Sequence, residues 1–317
     1  MHSKIIIIGS GPAGYSAAIY AARAMLDPVI ITGIQPGGQL TITTDVENYP
    51  GFASPIQGPW LMDQMRAQAE HVGTRIVGDH IARVDLSNRP FKLWGDGGAI
   101  YTCDALIVAT GAQAKWLGLP SEENFRSGGL SACATCDGFF FRNKQVVVVG
   151  GGNTAVEEAL YLANIASEVT LIHRRDTLRA ERIMQDRLFR HPKVKVAWNS
   201  EIAEICGTQT PASVTHVRIR DVATGALREL ATDGVFVAIG HRPATDLFVG
   251  QLELTANGYI KTDPATARTS VEMCWSAGDA ADEHWKQAIY AAGMGCVAAL
   301  DAERALAAAE AQLSIAA

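Results

Sequence analysis

Twice in this chain a run of β-branched residues ends in a cluster of glycines and passes into a helix-forming stretch. Lys4 and the four isoleucines Ile5 to Ile8 lead into Gly9-Ser10-Gly11-Pro12-Ala13-Gly14, followed by an alanine-rich stretch opening at Tyr15. Gln145 and the valines Val146 to Val149 lead into Gly150-Gly151-Gly152-Asn153-Thr154-Ala155, with a helix predicted from Val156. Uninterrupted β-branched runs suit strands buried on both faces of a parallel sheet. A glycine turn between such a strand and a helix lets the backbone approach a pyrophosphate, and the helix's free N–H groups attract the negative charge. One such fingerprint is weak, because glycine turns join many strands to helices. Two in one chain predict an α/β protein with two Rossmann-like dinucleotide-binding domains.

The length of 317 residues agrees, being long for a single core. A net charge of −6 argues against a large nucleic-acid footprint. No segment reaches the run of about 18 apolar residues that a membrane span needs. The isoleucine run passes directly into glycines rather than a cleavage site, so it reads as a strand and not a signal peptide. Without an export signal, the six cysteines are expected in the cytoplasm, where a close pair is more often catalytic or metal-binding than structural.

The two fingerprints have different continuations. In an NAD site the second strand ends near a carboxylate that holds a ribose hydroxyl. Residues 28–31 end instead in Thr32-Gly33, so another group holds that ribose or the nucleotide is not a conventional NAD. The loop Gln35-Pro36-Gly37-Gly38-Gln39-Leu40 and the polar Val46-Glu47-Asn48-Tyr49-Pro50-Gly51 suit a bulky planar cofactor against backbone, or a plain surface loop. Residues 57–72 predict an amphipathic helix, and residues 105–109 another buried strand ending in Thr110-Gly111-Ala112. After the second fingerprint, residues 169–172 end in His173-Arg174-Arg175, with Arg179 four positions on. Guanidinium forks match a phosphate, and Arg175 and Arg179 would share a face if the segment is helical. A 2′-phosphate favours NADPH over NADH, the bland alternative being an exposed basic patch or an ion-pair cluster. Residues 214–220 and 227–231 predict a hairpin, and residues 233–239 a returning strand.

Between the fingerprints lies Ser131-Ala132-Cys133-Ala134-Thr135-Cys136-Asp137-Gly138. Cys133 and Cys136 can close a small disulfide and reopen it, or bind a metal. Asp137 is placed to handle protons, or to cap a turn. Zinc needs four ligands, and no second such pair or close histidine pair accompanies this one. Cys103, Cys206, Cys274 and Cys296 are scattered and read as buried apolar residues. The residues from 245 onward are too few for a nucleotide fold of their own. Met273-Cys274-Trp275-Ser276-Ala277-Gly278-Asp279 predicts a strand ending in an acid, and a helix is expected from about Trp285 to residue 309. This segment should complete the first domain, with Asp279 accepting hydrogen bonds from a cofactor's sugar-like chain.

The order of GSGPAG, ATGA, CATCD, GGGNTA, HRRDTLRA, AIG and SAGD resembles that of the bacterial low-molecular-weight thioredoxin reductases, class II of the pyridine nucleotide-disulfide oxidoreductases. The resemblance runs almost end to end and is closest over residues 131–175. It implies a homodimeric FAD protein of three-layer ββα domains, with the NADPH domain (115–244) inserted into a FAD domain split over 1–114 and 245–317. It implies reduction of thioredoxin by NADPH, with Cys136 facing the flavin, Cys133 attacking the substrate disulfide and Asp137 as acid–base residue. Matched FAD positions are Gly9, Ser10, Gly11, Pro12, Ala13, Gly14, Thr32, Gly33, Gly38, Gln39, Asn48, Thr110, Gly111, Asp279, Lys286, Gln287 and Ala288. Matched NADPH positions are Gly152, Asn153, Thr154, His173, Arg174, Arg175, Arg179, Ile239 and Gly240. Cysteines and NADPH site share one domain yet need one flavin, and the resemblance implies a domain rotation about connectors near 115 and 244. The chain departs from the family pattern at Glu272-Met273-Cys274-Trp275 and at Lys286, where an arginine is usual. Rival readings are a flavoprotein serving a peroxiredoxin-type partner, one oxidising a small dithiol with oxygen, and a non-catalytic nucleotide sensor.

Overall fold

The structure, a computed structural model, describes residues 1–43, 45–126 and 128–316. The chain divides into two compact units, Met1–Gln113 with Arg242–Ala317, and Ala114–His241.

In the first unit His2–Ile8 is the central strand, and Ile5 to Ile8 are all buried, as a strand covered on both faces requires. It pairs in parallel with Val29–Ile31 on one side and Ile100–Val108 on the other. Arg75–Val77 extends the sheet beyond the former, and Cys274–Ser276 pairs with the latter, so the last part of the chain does complete this sheet. Ile100–Val108 is long enough for a second task. Its first half also pairs antiparallel with Phe91–Gly95, which continues into Ile81–Asp85.

The first helix is Pro12–Arg23 and so begins three residues before Tyr15. Proline lacks the N–H that a first helical residue would leave unpaired, and its fixed φ already suits the helix. The amphipathic helix expected over 57–72 is Gly58–His71. The C-terminal helix, Ala288–Ala316, starts later than Trp285. Asp282 collects the N–H groups of His284, Trp285 and Lys286 at 2.9, 2.9 and 2.6 Å, and Lys286 takes φ +48°, so the chain turns before it can helix. The late helix lies close against the first. A Cβ at Gly295 would stand 2.1 Å from the carbonyl oxygen of Ala13.

The second unit has five parallel strands in the order Leu130–Ser131, Gly234–Val237, Gln145–Val149, Glu168–Ile172, Val194–Ala197. Successive side chains of a strand point to opposite faces, and Gln145–Val149 uses both. Val146 and Val148 enter a core with Ala155, Val156, Ala159 and Leu162 of helix Asn153–Ala163. Val147 and Val149 enter another with Ile202, Val217 and Ile219 of an antiparallel sheet, Ser200–Gln209, Ala212–Asp221 and Leu227–Ala231. The result is a helix layer, a parallel sheet and an antiparallel sheet, the three-layer ββα arrangement. The helix opens at Asn153 rather than Val156. On the two sides of the division, Lys115 N–H donates to Gly240 O within the second unit and Ala244 N–H to Gly111 O within the first.

Candidate active site

Cys133 and Cys136 are joined by a disulfide, with S–S 2.06 Å and Cα–Cα 5.3 Å. Cys133 caps the short helix Ala134–Asp137, and its Sγ accepts the Cys136 N–H at 3.2 Å. The Thr135 hydroxyl, the only partner of the two with a proton to give, donates to the same sulfur at 3.4 Å. Ser131 organises the turn from outside: its Oγ accepts the Cys133 N–H at 3.0 Å while its hydroxyl donates to Asp137 Oδ2 at 2.5 Å. Burial pushes the Asp137 carboxyl above its ordinary pKa, and the Ser131 hydroxyl acts the other way. A group of that kind holds a proton closer to neutrality than a free aspartate does. The exposed Phe139 and Phe140 come directly after this turn.

The cysteine helix rests on Asn153–Ala163. A Cβ at Gly138 would meet Leu162 Cδ2 at 3.0 Å and Tyr161 Cε1 at 3.2 Å. The same helix opens from the second fingerprint, so cysteine pair and nucleotide turn share one rigid element. Glu158, near the middle of this helix, was not among the residues expected at the site. Its Oε2 is buried without a partner, and burial pushes its carboxyl up to about 7. One signal of it is legible in the sequence: Glu158 falls on the stripe of Ala155, Ala159 and Leu162, where an apolar residue belongs.

At the fingerprint itself, Gly151 lies under the His173 ring, where a Cβ would come within 2.2 Å of Cε1. His173 is buried, and its Nε2 is 3.0 Å from Thr177 O, so the ring is fixed against the turn. Arg179 N–H donates to Gly151 O at 2.7 Å, which draws the arginine segment onto the glycine turn. That tie corrects one expectation. Residues 173–181 are not helical, the next helix being Arg182–Arg190, so Arg175 and Arg179 do not meet as helical neighbours. The side chains of Arg174, Arg175 and Arg179 are exposed, and among the described residues no carboxylate pairs with them. Gly152 is open, a Cβ there meeting nothing within 4 Å. Asn153 and Thr154 are exposed at the helix start, and Ile239 and Gly240 come after the strand Gly234–Val237, Gly240 with φ +100°.

The first unit offers a second cradle. Gly9 takes φ +104° with no room for a side chain, a Cβ standing 2.1 Å from Ala109 O, and a Cβ at Gly14 would stand 1.9 Å from Gly9 O. Gly11, by contrast, faces open space, with nothing within 4 Å of a Cβ. The turn is therefore packed from beneath and open above, as a backbone that receives a ligand must be. Ser10 Oγ donates to Thr32 O at 2.9 Å and accepts the Gly37 N–H at 3.0 Å, tying the fingerprint to both later loops. Gly38 comes close to Gly11: a Cβ there would be 3.3 Å from Gly11 Cα. Gln39 lies in the short turn Gly38–Ile42. Thr32 is buried and Gly33 takes φ +79°.

The end of the chain returns to this turn. A Cβ at Gly278 would be 2.9 Å from Ala13 Cβ, which sets Asp279 beside the fingerprint. Burial pushes the Asp279 carboxyl up to about 6, Asp282 adding to the effect and Lys286 opposing it. Burial lowers the Lys286 ammonium despite Asp282, Asp279 and Glu283, and its Nζ donates to Glu283 O and lies 5.4 Å from the Tyr259 ring centroid. Asn48 Nδ2 donates to Gln287 Oε1 at 3.3 Å, and Ala288 opens the last helix. Thr110 Oγ1 is buried without a partner in the structure, next to Gly111 at φ +75°. An orphaned hydroxyl, a carboxylate held near neutrality and a glycine turn open on one side fit a nucleotide cofactor with a polyol chain. Among the described residues there is no group of three or more metal-ligating side chains, and no helix is long and apolar enough to cross a membrane.

Residues 3–295 match the family model of the pyridine nucleotide-disulphide oxidoreductases. A thioredoxin reductase of Rickettsia conorii is 59% identical over 304 residues, covering 96% of this chain and 98% of that protein. A protein of Pseudomonas fluorescens named glucosaminate ammonia-lyase is 57% identical over 312 residues, covering 96% of each chain. Among solved structures, thioredoxin reductase from Giardia duodenalis superimposes with a TM-score of 0.92 at 43% identity, covering 96% of this chain and 99% of its own.

Proposed function

We infer that this chain, which belongs to the pyridine nucleotide-disulphide oxidoreductase family, is an FAD- and NADPH-dependent thioredoxin reductase. The observation that carries this is the Cys133–Cys136 disulfide seated on the helix that opens from a dinucleotide fingerprint. An ammonia-lyase has no use for such a pair, which favours the reductase over the lyase name carried by one relative.

Bound FAD supplies the chemistry no side chain here can, taking the two electrons of a hydride from NADPH and releasing them to a disulfide. The first unit would hold it: Gly9 to Gly14 and Gly38 against the pyrophosphate, Thr32, Gly33, Gln39 and Asn48 along the loops, and Thr110, Gly111, Asp279, Lys286, Gln287 and Ala288 on the remaining polar groups. The second unit would hold NADPH with Gly152, Asn153, Thr154, Ile239 and Gly240, its 2′-phosphate on Arg174, Arg175 and Arg179. His173 acts there through Gly151, as a support for the turn. A Gly11→Ala substitution isolates this cradle, because its Cβ meets no protein atom within 4 Å and its φ of −70° suits any residue. Retention of FAD is expected to weaken about tenfold with thermal unfolding of the apoprotein unmoved. Unchanged retention by equilibrium dialysis would place the pyrophosphate elsewhere.

Two electrons open the Cys133–Cys136 bond. Cys133 is the better nucleophile, since the Cys136 N–H and the Thr135 hydroxyl both donate to its sulfur and favour a thiolate. Its thiolate attacks one sulfur of the thioredoxin disulfide, and the expelled thiolate takes a proton from Asp137. Cys136 then attacks Cys133 Sγ, restoring the internal disulfide and releasing reduced thioredoxin. Cysteines and NADPH residues belong to one unit and flavin residues to the other, so the reading includes rotation of one unit against the other between half-reactions. It also includes a cytoplasmic homodimer, supported by exposed Tyr20, Phe52, Trp60 and Tyr290 on the first unit.

One experiment tests the activity and the rotation together: NADPH oxidation with thioredoxin, or with ferricyanide as a non-thiol acceptor, for free protein and for protein whose units are tied by a crosslinker. Free protein turns over with both acceptors; tied protein loses turnover with thioredoxin, and keeps that with ferricyanide where the tie leaves the flavin facing the NADPH residues. Failure of the free protein with thioredoxin would overturn the activity, and full thioredoxin turnover by the tied protein the rotation.

A further inference from the structure

Ser131 ends the strand Leu130–Ser131, which pairs in parallel with Gly234–Val237 and sets Ser131 opposite Phe236. The serine is buried, and its hydroxyl stands between two groups of the exchange. Its oxygen accepts the Cys133 N–H at 3.0 Å, and its proton goes to Asp137 Oδ2 at 2.5 Å. A serine has one proton to give. The other acceptor near it, Cys133 O at 3.4 Å, is too far to take that proton from a carboxyl oxygen. Cys133 N–H, Ser131 O–H and Asp137 Oδ2 therefore form one directed chain, in which each bond polarises the next. It runs from the peptide of the attacking cysteine to the acid, and at its middle it is fixed to the parallel sheet.

We propose that Ser131 is the positioning residue of the proton donor: by occupying Oδ2 it leaves the transferable proton on Oδ1, and it stabilises the carboxylate that remains when this proton goes to the expelled thiolate. The proposal rests on the reading of Cys133, Cys136 and Asp137 as the exchange machinery. Ser131 gives up no proton of its own. Its bond to Oδ2 stands before and after the transfer, neutral before and charge-assisted after. A bond that strengthens as the proton leaves lowers the cost of its leaving. Burial acts the other way and holds the proton on. Together they give an acid that stays loaded until a thiolate takes its proton. Among the described residues, helix Asn153–Ala163 packs Glu157, Glu158 and Tyr161 on the side of this turn or near it, while strand Gly234–Val237 and the turn Gly138–Phe141 bring no titratable group. Only burial and Ser131 shift the Asp137 carboxyl.

The test is an infrared titration of the holoenzyme with its disulfide closed, so that neither Cys133 nor Cys136 titrates, and without thioredoxin or NADPH. The protonated carboxyl band of Asp137 is the one missing from Asp137→Asn. In Ser131→Ala the carboxylate loses a donor, so the midpoint of that band rises by about half a unit to one unit. The band also moves to higher wavenumber, because its carbonyl oxygen no longer accepts the serine hydroxyl. NADPH-dependent turnover with thioredoxin falls roughly tenfold. Ser131→Thr keeps a hydroxyl and titrates with the wild type. Ser131→Gly takes the place of the alanine variant if that one does not fold. An unmoved or lowered midpoint without the hydroxyl overturns the proposal, as does wild-type turnover. A threonine midpoint raised as far as that of alanine also overturns it, since packing and not the hydroxyl would then set the acid. Failure of the wild type to reduce thioredoxin would instead strike at the reductase reading, with the titration still readable.

Discussion

Replacing Cys136 with serine is expected to lower NADPH-dependent reduction of thioredoxin by about a thousandfold or more, while leaving turnover with ferricyanide close to that of the wild type. The size comes from the chemistry. Without a second sulfur, Cys133 can neither be freed by opening an internal disulfide nor be cleared of a bound partner by Cys136. The substitution changes no residue of either nucleotide fingerprint, Gly9 to Gly14 or Gly150 to Ala155. The variant should also show which sulfur attacks. Cys133→Ser and Cys136→Ser each keep one thiol, but only Cys133 receives the Cys136 N–H and the Thr135 hydroxyl. Treated with an aryl disulfide near neutral pH, Cys136→Ser should form a mixed disulfide faster than Cys133→Ser by about tenfold, as a better stabilised thiolate fraction gives. The reverse order would exchange the roles given to the two cysteines. Retained thioredoxin turnover in Cys136→Ser would remove the pair from the reaction altogether.

The fold was legible in the sequence because its main strands are buried on both faces. Ile5 to Ile8 and Val146 to Val149 can be read as strands without knowing their neighbours, since any parallel sheet would bury them alike. Helix starts were less legible, for local reasons. Pro12 and Asn153 belong to their helices but carry no apolar signal, and Asp282 delays the last helix by taking three N–H groups. The arginine segment failed for a tertiary reason. Spacing alone made Arg175 and Arg179 helical neighbours, but the Arg179 N–H is committed to Gly151 O, and no spacing rule contains that bond. Glu158 is the converse case. Its place on an apolar stripe was visible, but that its Oε2 is buried without a partner is a property of the fold and not of the spacing.

The second large effect concerns the nucleotide. Changing Arg174 and Arg175 together to alanine should raise the KM for NADPH about a hundredfold and leave that for NADH within about twofold, so that preference for NADPH is largely lost. The reasoning is one of differences. Both coenzymes share the pyrophosphate and nicotinamide, and only NADPH carries the 2′-phosphate, so only its binding loses charge-assisted hydrogen bonds. The structure makes the substitution a clean one. Both side chains are exposed and, among the described residues, neither is paired with a carboxylate, so no partner is left stranded and no core is opened. His173, whose ring packs against Gly151, and Arg179, whose backbone holds the same glycine, both stay in place. Turnover at saturating NADPH should therefore hold while KM rises, the pattern of a contact made equally in ground and transition states. The same argument predicts that rising ionic strength raises the wild-type KM for NADPH more than the variant's, because the phosphate–guanidinium attraction at an exposed site is screened by salt. Equal increases for NADPH and NADH on substitution would mean that the two arginines shape the turn rather than read the phosphate, and selectivity would then have to come from elsewhere in the second unit.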